Sequence, residues 1–303
     1  MAVEISVIVP VRNDFRIRKC IESLLQQDLA VDEFEILIVD NHSNNPDLKR
    51  LIESYPVRYF VEERTGPYAA RNRGIRESTG SILAFSDADC IVPPEWLRTI
   101  RNHLRSGCCR ICVGGSYSRD ERFVPRCIQA VDDLRWQELG KQEYVQYADT
   151  RNLGALREVF RKEPFDERFQ SAGDLDFGLT FTKRGDRIHF LQELTIEHRH
   201  SRGLIAAIQR GIRRGRGLAM IERKHGSEFT ITGARKWIIF GKDRKTTLLG
   251  MSRFFIVRSL LIVITALFIV LTFLALSIAR TFAARKLFYY LDRSSLLLGR
   301  LLG

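Results

Sequence analysis

Short apolar runs alternate with segments of helical periodicity in the N-terminal third of the chain. Three runs have the pattern of buried strands: Ile5–Pro10, Glu35–Asp40 and Val57–Val61. The residues that recur at the spacing of one helix face between the first two runs are Ile17, Ile21, Leu24 and Leu25. Strand, helix and strand in succession predict right-handed crossovers and an α/β fold with a mostly parallel central sheet and flanking helices.

A fourth apolar run, Ile82–Phe85, is followed by the carboxylates Asp87 and Asp89. Polar residues also follow the first two strands, notably Asp14 and Asp40. Because the carboxyl ends of parallel strands share one edge of a sheet, these side chains are expected to meet in one crevice. Adjacent carboxylates suit Mg²⁺ or Mn²⁺ held jointly with substrate phosphates. The spacing alone leaves Asp40 open between a binding role and a role in a turn.

The longest apolar segment is Ser259–Ala279, which contains no charged residue. At about 1.5 Å per residue a helix of this length spans the roughly 30 Å of bilayer hydrocarbon, so a transmembrane helix is expected over about 259–279. Lys and Arg flank both ends, and the positive-inside rule therefore does not decide the orientation. Since no secretory signal precedes the first strand, we expect a single-pass protein of the inner membrane with a cytoplasmic catalytic domain. Leu287–Tyr290 and Leu296–Leu302 are expected to form an interfacial helix.

The charge balance favours anionic partners. Lys and Arg number 48 against 36 Asp and Glu, a net charge of +12. No motif of a nucleic-acid-binding fold occurs, so a membrane and phosphorylated substrates are the expected partners and nucleic acid is not. Gly203–Met220 has the pattern of a basic helix, which is either a membrane-surface element or an ordinary solvated face.

The six cysteines do not predict a metal site. Cys108, Cys109 and Cys112 resemble half of a zinc site, but no second Cys/His pair follows at ligand spacing. Reduced thiols are the expectation.

Four ordered motifs of the first half resemble the signatures of family 2 glycosyltransferases of the GT-A fold. They are Val7–Asp14, Ile38–Ser43, Ala69–Gly74 and Phe85–Cys90. The second half continues the resemblance at Thr150–Leu153, Pro164–Glu167, Gly173–Phe177 and Lys183–Gly185. Neither a Gly-x-Gly-x-x-Gly nor a Gly-x-x-x-x-Gly-Lys sequence occurs, so dinucleotide and P-loop sites are not expected.

The resemblance implies a division of the chain into three parts. Residues 1–105 form the nucleotide-sugar-binding half of a GT-A domain, which is Rossmann-like. Residues 106–235 form its acceptor-binding half, and 236–303 form a membrane-anchoring segment with the transmembrane helix.

The resemblance also implies roles for individual residues. The donor nucleotide-sugar would be bound by Pro10, Arg12, Asp14, Asp40, Arg71 and Asp87. The cofactor, Mg²⁺ or Mn²⁺, would be held by Asp87, Asp89 and His198. For His198, a surface histidine without a ligand role is the open alternative.

Asp174 matches the aspartate that serves as general base in the family. Such a base makes an acceptor hydroxyl nucleophilic by removing its proton. Many relatives carry Glu immediately before this aspartate, whereas this chain has Gly173. Asp176 is open between capping the next helix and supporting Asp174.

The function implied is an inverting, metal-dependent transfer of one sugar from a nucleotide-sugar to a hydroxyl of a membrane-proximal, glycan or lipid-linked acceptor, in a bacterium building envelope polysaccharide. The Gln-x-x-Arg-Trp pattern of processive synthases is missing after Asp176, which favours one sugar per encounter. Two alternatives stay open: transfer to a polyprenyl phosphate, and a catalytically silent membrane adaptor with the same fold.

Overall fold

The computed structural model describes residues 3–162, 164–201, 203–226 and 282–302. The chain forms two compact units: Met1–Glu121 with Trp136–His200, and Arg122–Arg135 with Ser201–Gly303. The strands are β1 Ile5–Val11, β2 Phe34–Asp40, β3 Arg58–Val61, β4 Ile82–Ser86, β5 Cys90–Ile91, β6 Ile111–Tyr117, β7 Tyr144–Val145, β8 Asn152–Leu156 and β9 Ile188–His198. The helices are α1 Ile17–Leu24, α2 Pro46–Glu53, α3 Pro67–Glu77, α4 Trp96–Arg105, α5 Phe123–Leu139, α6 Val159–Lys162, α7 Gly173–Lys183, α8 Leu204–His225 and α9 Phe282–Leu302.

The first unit is built on one sheet with the strand order β3-β2-β1-β4-β8-β6-β9-β5, and β7 pairs with β9. β1 lies between β2 and β4 and is parallel to both, and β2 is parallel to β3. The second half is mixed, because β8 is antiparallel to β4 and β6 while β6 is parallel to β9. The expected α/β fold is therefore confirmed, with its parallel pairing concentrated in the first half.

The apolar runs form strands because both faces of the sheet are covered by helices. Ile5, Ile8 and Leu37 are fully buried, as the continuous apolar pattern of parallel strands predicts. α3 packs closely over β1 at Gly74, where an added Cβ would lie 2.4 Å from a methyl group of Ile8. This packing of helices against the sheet fixes the positions of β1, β2 and β4, and therefore of their carboxyl ends.

Asn152 joins three parts of the mixed half of the sheet. Its Oδ1 accepts from the indole of Trp96 at 2.8 Å, and its Nδ2 donates to the carbonyls of Gly115 at 2.9 Å and Leu194 at 2.7 Å. The register of β6 and β9 shifts at this point. Asn152 therefore satisfies backbone groups that the irregular ladder leaves without strand partners.

Replacing this amide should destabilise the fold. Asn152→Leu keeps the branch at Cγ but leaves three buried polar groups without their partner, so the free energy of unfolding should fall by about 3 kcal/mol. Urea unfolding followed by tryptophan fluorescence measures the change. Asn102→Leu, at an exposed position of α4, is the matched control and should stay within about 0.5 kcal/mol of wild type. An equal effect in both variants would contradict the role of Asn152.

In the second unit α8 and α9 pack closely through glycines. An added Cβ would lie 2.0 Å from the Leu296 carbonyl at Gly215 and 2.0 Å from the Ile212 carbonyl at Gly299. The two segments expected as an interfacial helix are parts of the single helix α9, with Leu291 and Ser295 buried.

The expected transmembrane helix and single-pass inner-membrane location are corrected by the structure. Across the described ranges, no helix combines the length and the apolar character that crossing a bilayer requires. α8 and α9 are long enough, but charged residues recur along both of them, for example Arg210 and Arg213 in α8 and Arg285 and Arg293 in α9. Residues 259–279 themselves lie outside the described ranges.

Candidate active site

The carboxylates expected at one sheet edge follow neighbouring strands. Asp40 is the last residue of β2, Asp14 follows β1, and Asp87 and Asp89 follow β4. Asp14 and Asp89 are bridged by one guanidinium: Arg16 Nη2 lies 2.6 Å from Asp14 Oδ2 and 3.2 Å from Asp89 Oδ2. The crossover topology therefore places Asp14 and Asp89, from two strand ends, close enough for Arg16 to contact both.

Asp87 is paired with Arg71 of α3. Arg71 is buried and its Nη2 donates to Asp87 Oδ1. Burial raises the pKa of the Asp87 carboxyl, the positive charge of Arg71 opposes that rise, and the charge of Asp89 adds to it. Arg71 Nε is also buried and has no hydrogen-bond partner among the described residues. The site thus presents two mutually repelling carboxylates beside a buried donor group.

Asp89 contacts His198, the last residue of β9. His198 Nε2 lies 3.3 Å from Asp89 Oδ2. Burial acts to raise the pKa of Asp89, but His198, Arg16 and Arg151 together lower that pKa well below its usual range. Asp89 is therefore ionised at neutral pH.

Arg151 determines which nitrogen of His198 carries a proton. Its Nη1 lies 2.9 Å from His198 Nδ1, and Asp149 holds Arg151 through a 2.6 Å ion pair. Since a guanidinium only donates, Nδ1 accepts and Nε2 carries the proton toward Asp89. Ligation of a cation through Nε2 requires the other tautomer, with Arg151 displaced from Nδ1.

The donor atoms present suit a divalent cation. Ligand atoms of Asp89, Cys90 and His198 lie within 4.8 Å of one another. Burial raises the pKa of the Cys90 thiol well above its ordinary value, so the thiol stays neutral and is a poor partner for a hard cation. The carboxylate and imidazole atoms are competent ligands for Mn²⁺, and carboxylates are preferred by Mg²⁺.

Asp40 makes a turn contact, which is one of the two roles that its position in the sequence allowed. Its Oδ1 accepts from the backbone N–H of Ser43 at 2.8 Å, and its Oδ2 accepts from the Tyr59 hydroxyl at 2.8 Å. The neighbouring residue Asn41 lies buried beside it. Pro10 is half-buried within β1, and Arg12 is exposed just after that strand. Asp40 and Pro10 lie at the same edge of the sheet as Asp14 and Asp89. The hydrogen bonds described for Asp40 go to Ser43 and Tyr59 and not to those two carboxylates.

Asp174 lies in the first turn of α7 and is half-buried. The Tyr68 hydroxyl lies 3.3 Å from Asp174 Oδ1 and accepts from the Asp174 backbone N–H at 3.1 Å. The N–H of Leu175 also donates to Oδ1 at 2.9 Å. Negative charge is favoured at a helix N-terminus, and these contacts fix the orientation of the carboxylate. Asp176 is buried in the same turn.

Gly173 makes room for Tyr68. An added Cβ at residue 173 would lie 2.6 Å from Cε2 of the Tyr68 ring. The ring therefore occupies the space that a side chain at this position would need. Burial raises the pKa of Tyr68 well above its ordinary value, so the phenol stays protonated and donates to the carboxylate.

Tyr68 also connects the two carboxylate groups of the site. The guanidinium carbon of Arg71 lies 5.4 Å from the centroid of the Tyr68 ring, within cation–π range. A chain of contacts runs from Asp174 through Tyr68 and Arg71 to Asp87. Sequence reasoning missed Tyr68, Arg16 and Arg151 as site residues, although Arg151 lies in the Thr150–Leu153 motif.

Comparisons with known proteins agree on one family. A model of the family described as "Glycosyl transferase family 2" matches residues 6–163. The glycosyltransferase AglE of Haloferax volcanii is 28% identical over 204 residues, which cover 63% of this chain and 65% of AglE. EpsJ of Bacillus subtilis, also named a glycosyltransferase, is 29% identical over 208 residues, which cover 62% of this chain and 59% of EpsJ. The chain thus spans less than two thirds of either relative.

Two solved structures share the fold. The mannosyltransferase PcManGT from Pyrobaculum calidifontis, in complex with GDP-Man and Mn²⁺, has a TM-score of 0.59 and 20% identity, covering 76% of this chain and 66% of PcManGT. S. aureus TarS 1-349 in complex with UDP-GlcNAc has a TM-score of 0.54 and 20% identity, covering 72% of this chain and 66% of that one. At this identity the likeness concerns the fold alone.

Proposed function

Because the chain belongs to glycosyl transferase family 2, we propose that it moves one sugar from a nucleotide-sugar to a hydroxyl of a glycan or lipid-linked acceptor, with inversion and with the help of a divalent cation. The observation that carries the proposal is the contact chain from Asp87 through Arg71 and Tyr68 to Asp174. It links Asp87, one of the carboxylates proposed to hold the cation, to a separate carboxylate suited to proton transfer. Direct inversion needs one base and no enzyme nucleophile, which agrees with Asp174 as the proposed base.

The donor side is formed by the residues after β1 and β4. Asp87, Asp89 and, in its other tautomer, His198 would hold Mg²⁺ or Mn²⁺, which as a Lewis acid stabilises the charge that builds on a departing nucleoside diphosphate. Mn²⁺ is the cation named with PcManGT. Arg71, whose Nη2 donates to Asp87, would place its positive charge near the phosphates of the donor. Arg16 and Arg71 keep the carboxylates in fixed positions before the donor binds.

The acceptor side is formed by Asp174. Its carboxylate would take the proton of the acceptor hydroxyl as that oxygen bonds to the anomeric carbon and the bond to the diphosphate breaks. A base in this role contributes about 10²–10⁴-fold to the rate. The Tyr68 hydroxyl, which stays protonated, orients Asp174 in place of the glutamate that many relatives carry one residue earlier.

The proposal is tested by release of nucleoside diphosphate. The full chain is incubated with a panel of UDP-, GDP- and other nucleotide-sugars, with Mn²⁺ or with EDTA. We expect one donor class to be turned over with Mn²⁺ and not with EDTA. Equal turnover with EDTA would contradict the cation, and turnover of no donor would favour the silent adaptor. The net charge of +12 makes anionic, phosphate-containing glycans the first acceptors to try.

Tyr68→Phe should lower kcat without weakening donor binding. The variant keeps the ring that fills the space at Gly173 and the contact with Arg71, and removes only the hydroxyl that donates to Asp174. Loss of one hydrogen bond to a charged group costs about 1.5–3 kcal/mol, so kcat should fall by about tenfold or more. The pH dependence of kcat should also shift its acidic limb upward, because Asp174 loses a donor that favours its ionised form.

A matched control for the hydroxyl is Tyr55→Phe. The Tyr55 hydroxyl donates to Glu22 Oε1 at 3.2 Å, and its removal should leave kcat within about twofold of wild type. If Tyr68→Phe retains full activity and an unchanged pH profile, Tyr68 does not position the base.

A further inference from the structure

Two histidines and two cysteines from separate parts of the chain meet at the far end of the sheet. His103 lies in α4, Cys108 and Cys109 lie in the loop that follows it, and His189 is the second residue of β9. One ligand atom from each residue lies within 4.8 Å of all the others. The parallel pairing of β6 and β9, which sets Cys112 opposite His189, brings the histidine to the cysteines. Sequence spacing alone did not predict that these histidines lie beside the cysteines.

The distances match the edges of a zinc tetrahedron. His103 Nε2 lies 3.1 Å from His189 Nδ1. Cys108 Sγ lies 3.6 Å from His103 Nε2 and 3.9 Å from His189 Nδ1. Bond lengths of about 2.05 Å to nitrogen and 2.3 Å to sulfur give tetrahedral edges of about 3.3 Å between nitrogens and about 3.6 Å between nitrogen and sulfur. Three of the ligand atoms are therefore spaced as ligands of one zinc ion would be, and the ligand atom of Cys109 lies within 4.8 Å of each of them.

His189 presents one ring nitrogen to the cluster. The polar neighbours of its Nδ1 are His103 Nε2 and Cys108 Sγ. The ring is fixed in this orientation by packing against Tyr144, with the ring centroids 4.6 Å apart. Nδ1 is therefore the nitrogen that a metal ion at the cluster would contact.

The cysteines lie beside hydrogen-bonding groups. Burial raises the pKa of the Cys109 thiol to about 12, and the backbone amides of Ile111 and His189, which donate toward its Sγ, oppose part of that rise. The Ser106 hydroxyl lies 2.9 Å from Cys108 Sγ and 2.7 Å from the carbonyl of His103. Binding of a metal ion would therefore release the thiol protons. Cys109 is buried while Cys108 is exposed, which gives a cation a route from solvent to the cluster.

We propose that His103, Cys108, Cys109 and His189 bind one Zn²⁺ as a structural site. Two thiolates and two imidazoles form a common tetrahedral donor set for zinc, whereas Mg²⁺ and Mn²⁺ prefer oxygen ligands. The ion would fasten the end of α4 and the loop before β6 to the start of β9. It is separate from the candidate active site, since His189 and His198 are at opposite ends of β9, up to about 30 Å apart at about 3.3 Å per residue.

The test measures zinc retained by the full chain. The protein is stripped with a chelator under reducing conditions, loaded with Zn²⁺, desalted and analysed for metal by mass spectrometry. Wild type should retain about one zinc per chain, and Cys108→Ser and Cys109→Ser should each lose most of it. Co²⁺ loaded in place of zinc should show the visible absorption of tetrahedral cobalt and the charge-transfer bands of cobalt–thiolate bonds in wild type only.

Two controls separate this site from other cysteines and from the candidate active site. Cys127→Ser removes a buried thiol outside the cluster, and Asp89→Asn weakens the other candidate cation site. Both should retain zinc as wild type does. Chelation should lower the Tm of wild type by on the order of 5 °C or more, and should change the Tm of Cys108→Ser little. Wild type that retains no zinc, or cysteine variants that retain as much as wild type, would overturn the proposal.

Discussion

Asp174→Asn is expected to lower kcat for sugar transfer by about 10²–10⁴-fold. The amide keeps the size of the side chain, and its oxygen still accepts from Tyr68 and from the N–H of Leu175 at the start of α7. What it loses is the ability to take a proton from the acceptor hydroxyl. The loss should therefore be in the chemical step, measured as initial rates at saturating donor and acceptor.

The control for this substitution is Asp47→Asn, the same chemical change in the first turn of α2, where the side chain is 67% exposed. It should leave kcat within about twofold of wild type. A phosphate acceptor is already anionic and needs no base. An Asp174→Asn variant that keeps most of its activity would therefore contradict the hydroxyl-acceptor proposal and favour transfer to a polyprenyl phosphate.

The second large effect is expected from Asp89→Ala, with kcat/KM lowered by about 10³-fold or more and not restored by excess Mn²⁺. Asp89 is held in its ionised form by His198, Arg16 and Arg151, and it is the residue best placed to hold a cation against the donor diphosphate. Loss of the Lewis acid removes several kcal/mol of stabilisation from the transition state, which corresponds to about three powers of ten.

Removing this carboxylate also leaves positive groups without their partner, which can destabilise the fold. The Tm of each variant is therefore measured beside its rate. Asp28→Ala is the matched control, because it breaks an ion pair with Arg98 at 2.8 Å away from the site. If Asp89→Ala is as active as Asp28→Ala, Asp89 does not hold a catalytic cation.

The parallel half of the fold and its polar edge were predictable from local pattern. Continuous apolar runs such as Ile5–Pro10 specify buried strands, and the handedness of crossovers puts their carboxyl ends on one edge. Asp14 and Asp89 are brought together as expected. The mixed half was not predictable in the same way, because the placement of β8 between β4 and β6 depends on long-range pairing that no local period encodes.

The residues that complete the candidate site depend on tertiary contacts. Gly173 was noticed in the sequence as a missing glutamate, but only the packing of the Tyr68 ring against it explains the difference. Arg16 bridges Asp14 and Asp89, and Arg151 joins Asp149 to His198. The positions of these arginines in the sequence do not predict either set of contacts. The histidines that join Cys108 and Cys109 were overlooked for the same reason.

The prediction of a transmembrane helix is contradicted by the described helices, none of which is both long and apolar enough to cross a membrane. It rested on the hydropathy of one segment, residues 259–279. In the described part of the chain, the long helices α8 and α9 pair with each other through close glycine contacts and carry charges along their length. Residues 259–279 themselves lie outside the described ranges.

We propose that the two carboxylates have separate roles, and that this division is central: Asp89 holds the cation and the donor, and Asp174 acts only on the acceptor. Its most direct test is the Kd of the nucleotide-sugar in the presence of Mn²⁺, measured by calorimetry for wild type, Asp89→Ala and Asp174→Asn. We expect Asp174→Asn to bind the donor within about twofold of wild type and Asp89→Ala to bind at least about 100-fold more weakly. Equal loss of donor binding in both variants, or undiminished binding by Asp89→Ala, would contradict this division.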